Sequence, residues 1–356
     1  MMNTNFNKKH TFLNKIVTHP YFGFILAGLL LMTVQLLEYQ GIIGVTYARA
    51  FGLTIIYFII SLGFSLLLGY AGLASLGTSG FIGLGAYITG YVLKTLELPL
   101  IVALLLTLVI AIVIGTIVGF ISLRIEGMYL AIITLGLSEI LNEIFKNAVK
   151  FTNGVNGLKL SSLTMFNTII THREFYFVLV FVMVLAMILT INIISSPTGR
   201  AMLAMKNSTS AAQAMGISIL KYRLLAFVIA TIYAAVGGLL YFGYWLTSNP
   251  ETWSISLSLS ILAAVIVGGA KSIWGVLAGT FLMFGIDLAV FKQMDFFQKY
   301  QDVPYLFSGL LIILVVMFYP GGLSKLGVDI KTFIKKTFVK VRGLYHNWRY
   351  GKDDIR

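Results

Sequence analysis

Two acidic residues interrupt an apolar segment of the sequence. Glu139 and Glu143 lie within residues 128–146 and are four positions apart, so a helix places both carboxylates on one face. A charged group in a membrane-spanning helix is costly and commonly marks a polar pathway or a contact with another helix. We expect Glu139 to face one of these two environments, and the sequence leaves both open. Glu143 lies near the end of the segment, close to Lys146, and is expected at the membrane–water interface.

A glycine-rich stretch interrupts a second apolar region. Between residues 69 and 85 the helix propensity is low, because glycine in a helix interior costs up to about 1 kcal/mol relative to alanine. Such interruptions in membrane segments predict a broken helix beside a substrate path. They equally predict close packing between helices through small side chains. Both interpretations apply to the small and polar residues here, among them Gly72, Ser75, Gly77 and Thr78.

The loop at residues 196–222 is the most informative hydrophilic segment. It contains three basic residues and no acidic residue. Asn207 or Ser208 can cap the start of a helix, and Gly216 can end it in the left-handed conformation. The alanine-rich residues between them predict a short helix of about two turns. Such a helix either docks against a partner or simply connects two spans.

The residue types on which most enzymes depend are missing or scattered. The chain has no cysteine, and its four histidines lie far apart, so no metal-ligand spacing occurs. Residues 267–272 resemble a phosphate-binding loop only superficially, because Ala270 stands where glycine must precede the lysine. We therefore expect no catalytic residue, no bound cofactor or metal and no ATP site in this chain.

Long apolar segments must position these features. Hydrophobic residues make up 58% of the chain and charged residues only 11%, with a mean hydropathy of +0.91. Ordinary soluble domains contain about 25% charged residues. Because a membrane-spanning helix requires about 20 mostly apolar residues, the sequence predicts an all-α, polytopic transmembrane helical bundle of about ten spans. These are placed at 21–37, 51–69, 79–93, 99–121, 128–146, 175–195, 223–246, 257–270, 272–290 and 304–319.

The basic residues predict how the bundle is oriented. With ten spans both termini lie on one side, and that side holds 18 of the 26 lysines and arginines. Cytoplasmic loops are enriched in these residues, so both termini are expected in the cytoplasm. The predicted organisation is a cytoplasmic segment at 1–20, a transmembrane domain at 21–323 and a basic cytoplasmic tail at 324–356. The tail suits the anionic lipid surface and not nucleic acid.

Several sequence blocks occur in order along residues 50–323. They comprise Gly69–Gly72 with Ser75, Gly77 and Phe81–Tyr87; Gly127–Leu135 with Glu139; Phe151–Leu158; Ser196–Ala201; Ala211–Ile217; Tyr222–Phe227; Gly268–Gly275; and Pro320–Leu323. Together these blocks resemble the LivM family of ABC importer permeases, which serve branched-chain amino acids. Each block alone is a weak signal, whereas their shared order and spacing are a strong one.

The resemblance implies a permease subunit without enzymatic activity in the cytoplasmic (inner) membrane of a prokaryote. It implies a second permease subunit, two cytoplasmic ATPase subunits that use ATP and Mg²⁺, and an extracytoplasmic substrate-binding protein. The loop at 196–222 would be the coupling loop, with candidate ATPase contacts at Lys206, Asn207, Ser208, Ala211, Ala212, Ala214 and Gly216. The candidate translocation path consists of Gly72, Ser75, Gly77, Thr78, Tyr129, Thr134 and Glu139.

Two alternatives remain open at this stage. Thr78 stands where the family usually has histidine, so the substrate is either a branched-chain amino acid or a neighbour such as urea or a short amide. A different class of protein, an ion-coupled carrier, would use Glu139, Glu143 or Asp287 as proton or cation sites. That class leaves the capped helix in the loop at 196–222 unexplained.

Overall fold

The structure, a computed structural model, describes residues 20–122, 128–165 and 168–286, with scattered positions between 309 and 329. Helices dominate these residues. In chain order they are α1 (Pro20–Tyr39), α2 (Val45–Ser65), α3 (Thr78–Lys94), α4 (Leu100–Ser122), α5 (Met128–Asn147), α6 (Val149–Thr152), α7 (His172–Ser195), α8 (Pro197–Asn207), α9 (Thr209–Ala214), α10 (Ile219–Trp245), α11 (Ile255–Gly268) and α12 (Ile273–Thr280).

Two of these helices continue into π-helical turns, and short elements fill the connections. The π-turns are Leu66–Tyr70 after α2 and Phe281–Gly285 after α12. Two 3-10 turns lie at Gly154–Asn156 and Pro250–Trp253. The strands are β1 (Leu158–Lys159), β2 (Leu163–Met165), β3 (Thr168–Ile170) and β4 (Thr247–Ser248).

Among the residues that the structure describes, five helices are long and apolar enough to cross a bilayer, namely α1, α2 with its π-turn, α4, α7 and α10. The other predicted spans are shorter or more polar: α3 has 17 residues, and α5 carries Glu139, Glu143 and Lys146. Nine predicted spans fall on helices. The end of the ninth, most of the tenth and Asp287 lie outside the described residues. The polytopic helical prediction is confirmed, whereas the count of ten spans is not.

The centre of the bundle is built from α2, α3 and α10. Most of α2 is buried, whereas α1 and α4 turn most of their surface outward. Glycines allow α3 and α10 to approach until their backbones touch: a Cβ on Gly85 would clash with the carbonyl oxygen of Ala235, and one on Gly238 with that of Ile82. Small residues at helix crossings allow this contact in membrane bundles.

Two small antiparallel pairings connect the ends of the helices. β1 pairs with β4 through Leu158 and Ser248, which joins the segment after α6 to the segment after α10. β2 and β3 form a local hairpin. These pairings satisfy backbone groups in the connections and leave the helical architecture unchanged.

Candidate functional site

The glycine-rich stretch forms a break between two helices. After the π-turn at Leu66–Tyr70 the chain is non-helical through Gly77, and α3 begins at Thr78. We call residues 71–77 the helix break. Gly72 has φ of +72°, a left-handed conformation that side chains rarely adopt. The stretch also packs closely, since a Cβ on Gly77 would lie 2.6 Å from the carbonyl oxygen of Thr134. The structure therefore contains both features that the glycines predicted.

Three buried serines hold the start of α3. The amide of Ser79 donates to Ser258 Oγ at 2.9 Å, and the amide of Gly80 donates to Ser138 Oγ at 3.0 Å. Ser79 Oγ also lies 3.0 Å from Ser138 Oγ. We call Ser79, Ser138 and Ser258 the serine cluster. It satisfies two of the first amides of α3, which otherwise have no partner at a helix N-terminus. These amides are thus not open to an anionic ligand.

The buried face of α5 is polar. Thr134 Oγ1 accepts from the amide of Leu76 at 3.0 Å, inside the helix break. Asn142 Nδ2 donates to the carbonyl oxygens of Pro250 and Trp253 at 3.0 and 3.1 Å. Thr134, Ser138 and Asn142 are four residues apart and share one face. Polar residues at this spacing in an apolar span indicate a buried polar face. Ser138 and Asn142 could have been predicted on this basis, but they were not.

The opposite face of α5 is exposed. Tyr129 is 69% exposed and Ile132 is 62% exposed. Gly136 has open space where a Cβ would point, and Glu139 and Glu143 are also exposed. We call these five residues the outer face of α5. Within the described part of the chain, the carboxylate of Glu139 has no hydrogen bond or ion pair.

Glu143 has a different environment from Glu139. Its carboxylate accepts from Asn147 Nδ2 at 2.8 Å and lies 3.6 Å from the ammonium of Lys146. All three residues lie in the last turns of α5, just before Ala148, the residue that separates α5 from α6. The interfacial position of Glu143 stays a prediction.

The seven candidate path residues fall into three places. Ser75 and Thr78 line a cavity of about 10 Å³ beside the break, room for about one water molecule. Gly77 and Thr134 lie against each other next to it. Gly72 lies at the other end of the break, and Tyr129 and Glu139 lie on the outer face of α5. The structure therefore does not bring all seven into one chamber.

The loop at 196–222 contains the short helix that the sequence predicted and one more. α9 starts at a cap in which Ser208 Oγ accepts from the amide of Ala211 at 3.3 Å. It ends at Ala214, and Gly216 follows two residues later with φ of +79°. Its exposed tip includes Ala211, Ala214 and Met215, which is 82% exposed. Met215 was not among the residues predicted to contact an ATPase, yet it is exposed at this tip. Ala212 was among them, but it is buried.

The preceding helix α8 anchors this tip to the bundle. Ser196 caps α8 by accepting from the amide of Gly199 at 3.3 Å, with Pro197 at the first position. Met202 and Met205 are buried. Lys206 and Asn207 form the end of α8, so of the two predicted caps it is Ser208 that starts the short helix.

Lys206 turns toward the helix break. Its Nζ donates to the carbonyl oxygens of Leu68 and Gly69 at 3.0 and 2.8 Å. Burial of the side chain and the nearby charge of Lys271 lower the pKa of Lys206. The loop at 196–222 thus contacts the π-turn that leads into the helix break, although the sequence predicted this loop and the glycine-rich stretch as separate features.

Apolar spanning helices around a polar break, with a capped tip outside the bundle, define a multi-pass membrane transport protein. The family model for the permease component of branched-chain amino acid transport systems matches residues 46–316. The chain belongs to this family. As a permease component it is a transport subunit of a multi-component system.

Three curated proteins are similar in sequence. The high-affinity branched-chain amino acid transport system permease protein LivM of Escherichia coli is 28% identical, with 76% of this chain and 68% of the relative covered. LivM of Salmonella typhimurium has the same identity and coverage. A probable ABC transporter permease protein, y4mJ, of Sinorhizobium fredii is 27% identical over 46% of this chain and 45% of its own length. No solved structure matches the chain.

Proposed function

We propose that this chain forms half of the translocation pathway of an ATP-driven importer of branched-chain amino acids. The contact between the coupling loop and the helix break carries this proposal. An exposed helix that can receive a push from outside the bundle touches the interrupted span through Lys206. Membership of the permease family and the names of the LivM relatives support the substrate class.

The other half of the pathway is a second permease that lies opposite the outer face of α5, across the path. Glu139 lies in the middle of a 20-residue helix and is exposed. Placing such a charge against lipid costs about 2.5–3.5 kcal/mol on insertion scales. By contrast, α4 exposes Ile101, Val109 and Ile117 and carries no charged residue, as a lipid-facing helix should. A partner subunit or a water-filled path is therefore the environment that suits Glu139.

The energy comes from two cytoplasmic ATPase subunits that bind ATP and Mg²⁺. This chain has no phosphate-binding loop of its own, since Ala270 precedes Lys271. The exposed tip of α9 seats in a groove of one ATPase. An extracytoplasmic binding protein delivers the substrate from the other side. The inner membrane of a prokaryote, with both termini in the cytoplasm, is the location that fits these partners.

The transport cycle requires no covalent chemistry from this subunit. ATP binding closes the two ATPases and moves α8 and α9. The permease pair then rocks between outward-open and inward-open states, the kind of two-state rearrangement on which alternating access depends. The residues at the helix break and on the outer face of α5 contribute the polar surface along which the substrate moves.

Co-purification tests the proposed assembly. The tagged chain is extracted from its native membrane in mild detergent, and the proteins that accompany it are identified by mass spectrometry. The proposal predicts two ATPase subunits and a second permease. The accompanying binding protein should bind leucine, isoleucine or valine and not urea. Recovery of the chain alone, active in uptake without ATP, would contradict the proposal and favour an ion-coupled carrier that uses Glu139.

A further inference from the structure

Carbonyl groups at the end of the interrupted span need partners that a regular helix no longer supplies. Backbone amides satisfy those of Leu66 and Leu67: the amide of Ala71 donates to Leu66 O at 3.1 Å and that of Leu73 to Leu67 O at 3.0 Å. The next two carbonyls, of Leu68 and Gly69, accept from Lys206 Nζ. A side chain from α8 thus completes the end of α2.

The contact is more than a single hydrogen bond. A Cβ on Gly72 would lie 3.0 Å from Cγ of Lys206, so the left-handed turn of the helix break packs on the methylene groups of this side chain. The positive charge also suits the negative end of a helix dipole. The ion pairs Glu38–Arg173 and Glu143–Lys146 lie elsewhere, and neither involves Lys206.

The other side of the same turn is fixed. Tyr70 donates from its hydroxyl to the carbonyl oxygen of Lys271 at 2.9 Å. Gly69 packs so closely on Ala270 that a Cβ would clash with its carbonyl oxygen. The π-turn therefore lies between the turn at Ala270 and Lys271 on one side and the side chain of Lys206 on the other.

The break continues directly into the candidate path. Ser75 follows Gly72 by three residues, and together with Thr78 it lines the small cavity. The amide of Leu76 is bonded to Thr134 of α5. A shift of α8 along its axis would pull the carbonyls of Leu68 and Gly69 and move this connected backbone.

We infer that Lys206 is a positioning residue that transmits movement of the coupling loop to the helix break. The inference rests on the proposed function, because it requires an ATPase to move α9. It assigns Lys206 an inward role, distinct from the outward contacts of Ala211, Ala214 and Met215. The long stem and the terminal donor are both required, because the stem fills the turn and the ammonium holds the carbonyls.

Matched lysine variants test this role in the assembled complex. Lys206→Met keeps the apolar stem and removes the donor, Lys206→Arg restores donors, and Lys150→Met is the control. Lys150 is exposed and belongs to the short helix α6, outside the loop at 196–222. Assembly, ATP hydrolysis and uptake are measured for each. Uptake per ATP should fall about tenfold in Lys206→Met, because hydrogen bonds to a charged donor are among the stronger ones.

The remaining results separate the inference from the proposed function. Lys206→Arg should recover part of the uptake, and Lys150→Met should match the unmodified complex. If Lys206→Met assembles and its uptake per ATP is unchanged, the transmission role is wrong. If ATPases are absent from the unmodified complex, the proposed function fails first.

A thiol probe gives a second readout that does not depend on uptake. The chain has no cysteine, so Ser75→Cys introduces a single thiol beside the break. Its alkylation rate should change on ATP binding when Lys206 is present and stay constant in Lys206→Met. An equal ATP response in both would overturn the inference. If Lys206→Met does not reach the membrane, Lys206→Gln, which is too short to hold both carbonyls, replaces it with the same expected result.

Discussion

The amide of Ser79 donates to the side-chain oxygen of Ser258 at 2.9 Å, and the two residues are 179 positions apart in the chain. Ser258 Oγ in turn donates to Ser79 Oγ at 2.8 Å. Ser138 completes the cluster from α5. Three helices from distant parts of the sequence therefore fix the point where the chain becomes helical again after the break.

Removing the Ser258 hydroxyl should destabilise the bundle. Ser258→Ala leaves the amide of Ser79 buried without its acceptor, which costs about 1–3 kcal/mol. Ser260→Ala is the matched control in the same helix, because Ser260 only bonds the carbonyl oxygen of Ser256 one turn away. Thermal unfolding of both variants in detergent measures the difference. Equal midpoints for Ser258→Ala and Ser260→Ala would show that the serine cluster contributes nothing to stability.

The contact between α3 and α10 should not tolerate a methyl group. Gly85→Ala would press a Cβ into the backbone of Ala235, so the two helices must separate or the variant must misfold. Gly136→Ala is the control, because a Cβ there meets open space. We expect a lower yield of folded protein for Gly85→Ala, measured as the monodisperse fraction in size-exclusion chromatography. Similar yields would contradict the close approach of the two helices.

Glu139 should be accessible from water, unlike the surface of α4. A single cysteine in place of Glu139 is expected to react with a charged thiol reagent in the assembled complex during transport. Val109→Cys is the control on α4. Val109 is 57% exposed, and under the proposed function it faces lipid, where thiols are not ionised and charged reagents do not enter. The labelling rates of the two cysteine variants are measured in native membranes and compared. Equal, slow rates at both positions would place Glu139 outside an aqueous path.

A bulky residue on the tip of α9 should prevent docking. Ala211→Trp leaves the bundle intact, because Ala211 is exposed, but it would block the fit into an ATPase groove. We expect normal membrane insertion together with loss of ATPase co-purification and of uptake. Val155→Trp is the control for added surface bulk, because Val155 is exposed and lies outside the loop at 196–222. Normal uptake by Ala211→Trp would count against α9 as the docking element.

The sequence predicted the features that are encoded locally. Apolar runs located the helices, and glycines marked the break before α3. The cap at Ser208 and the left-handed Gly216 also followed from residue type. A second helix in the same loop, α8, was missed although Ser196 and Pro197 give a normal start signal. The site roles of the coupling and path residues stay predictions.

The features that could not be predicted depend on pairs of residues far apart in the sequence. Lys206 reaches the carbonyls of Leu68 and Gly69 across more than a hundred residues. β1 pairs with β4 in the same non-local way. No periodicity or local propensity in one sequence specifies which distant groups meet, because that depends on how the helices pack.

ATP-dependent uptake by the reconstituted complex tests the account most directly. The co-purified complex is placed in proteoliposomes with its binding protein on one side, and labelled leucine is followed with and without ATP on the other. The account predicts accumulation only with ATP and binding protein, and none when the chain carries Ala211→Trp. Leucine uptake that is independent of ATP, or equal uptake by the Ala211→Trp complex, would contradict it.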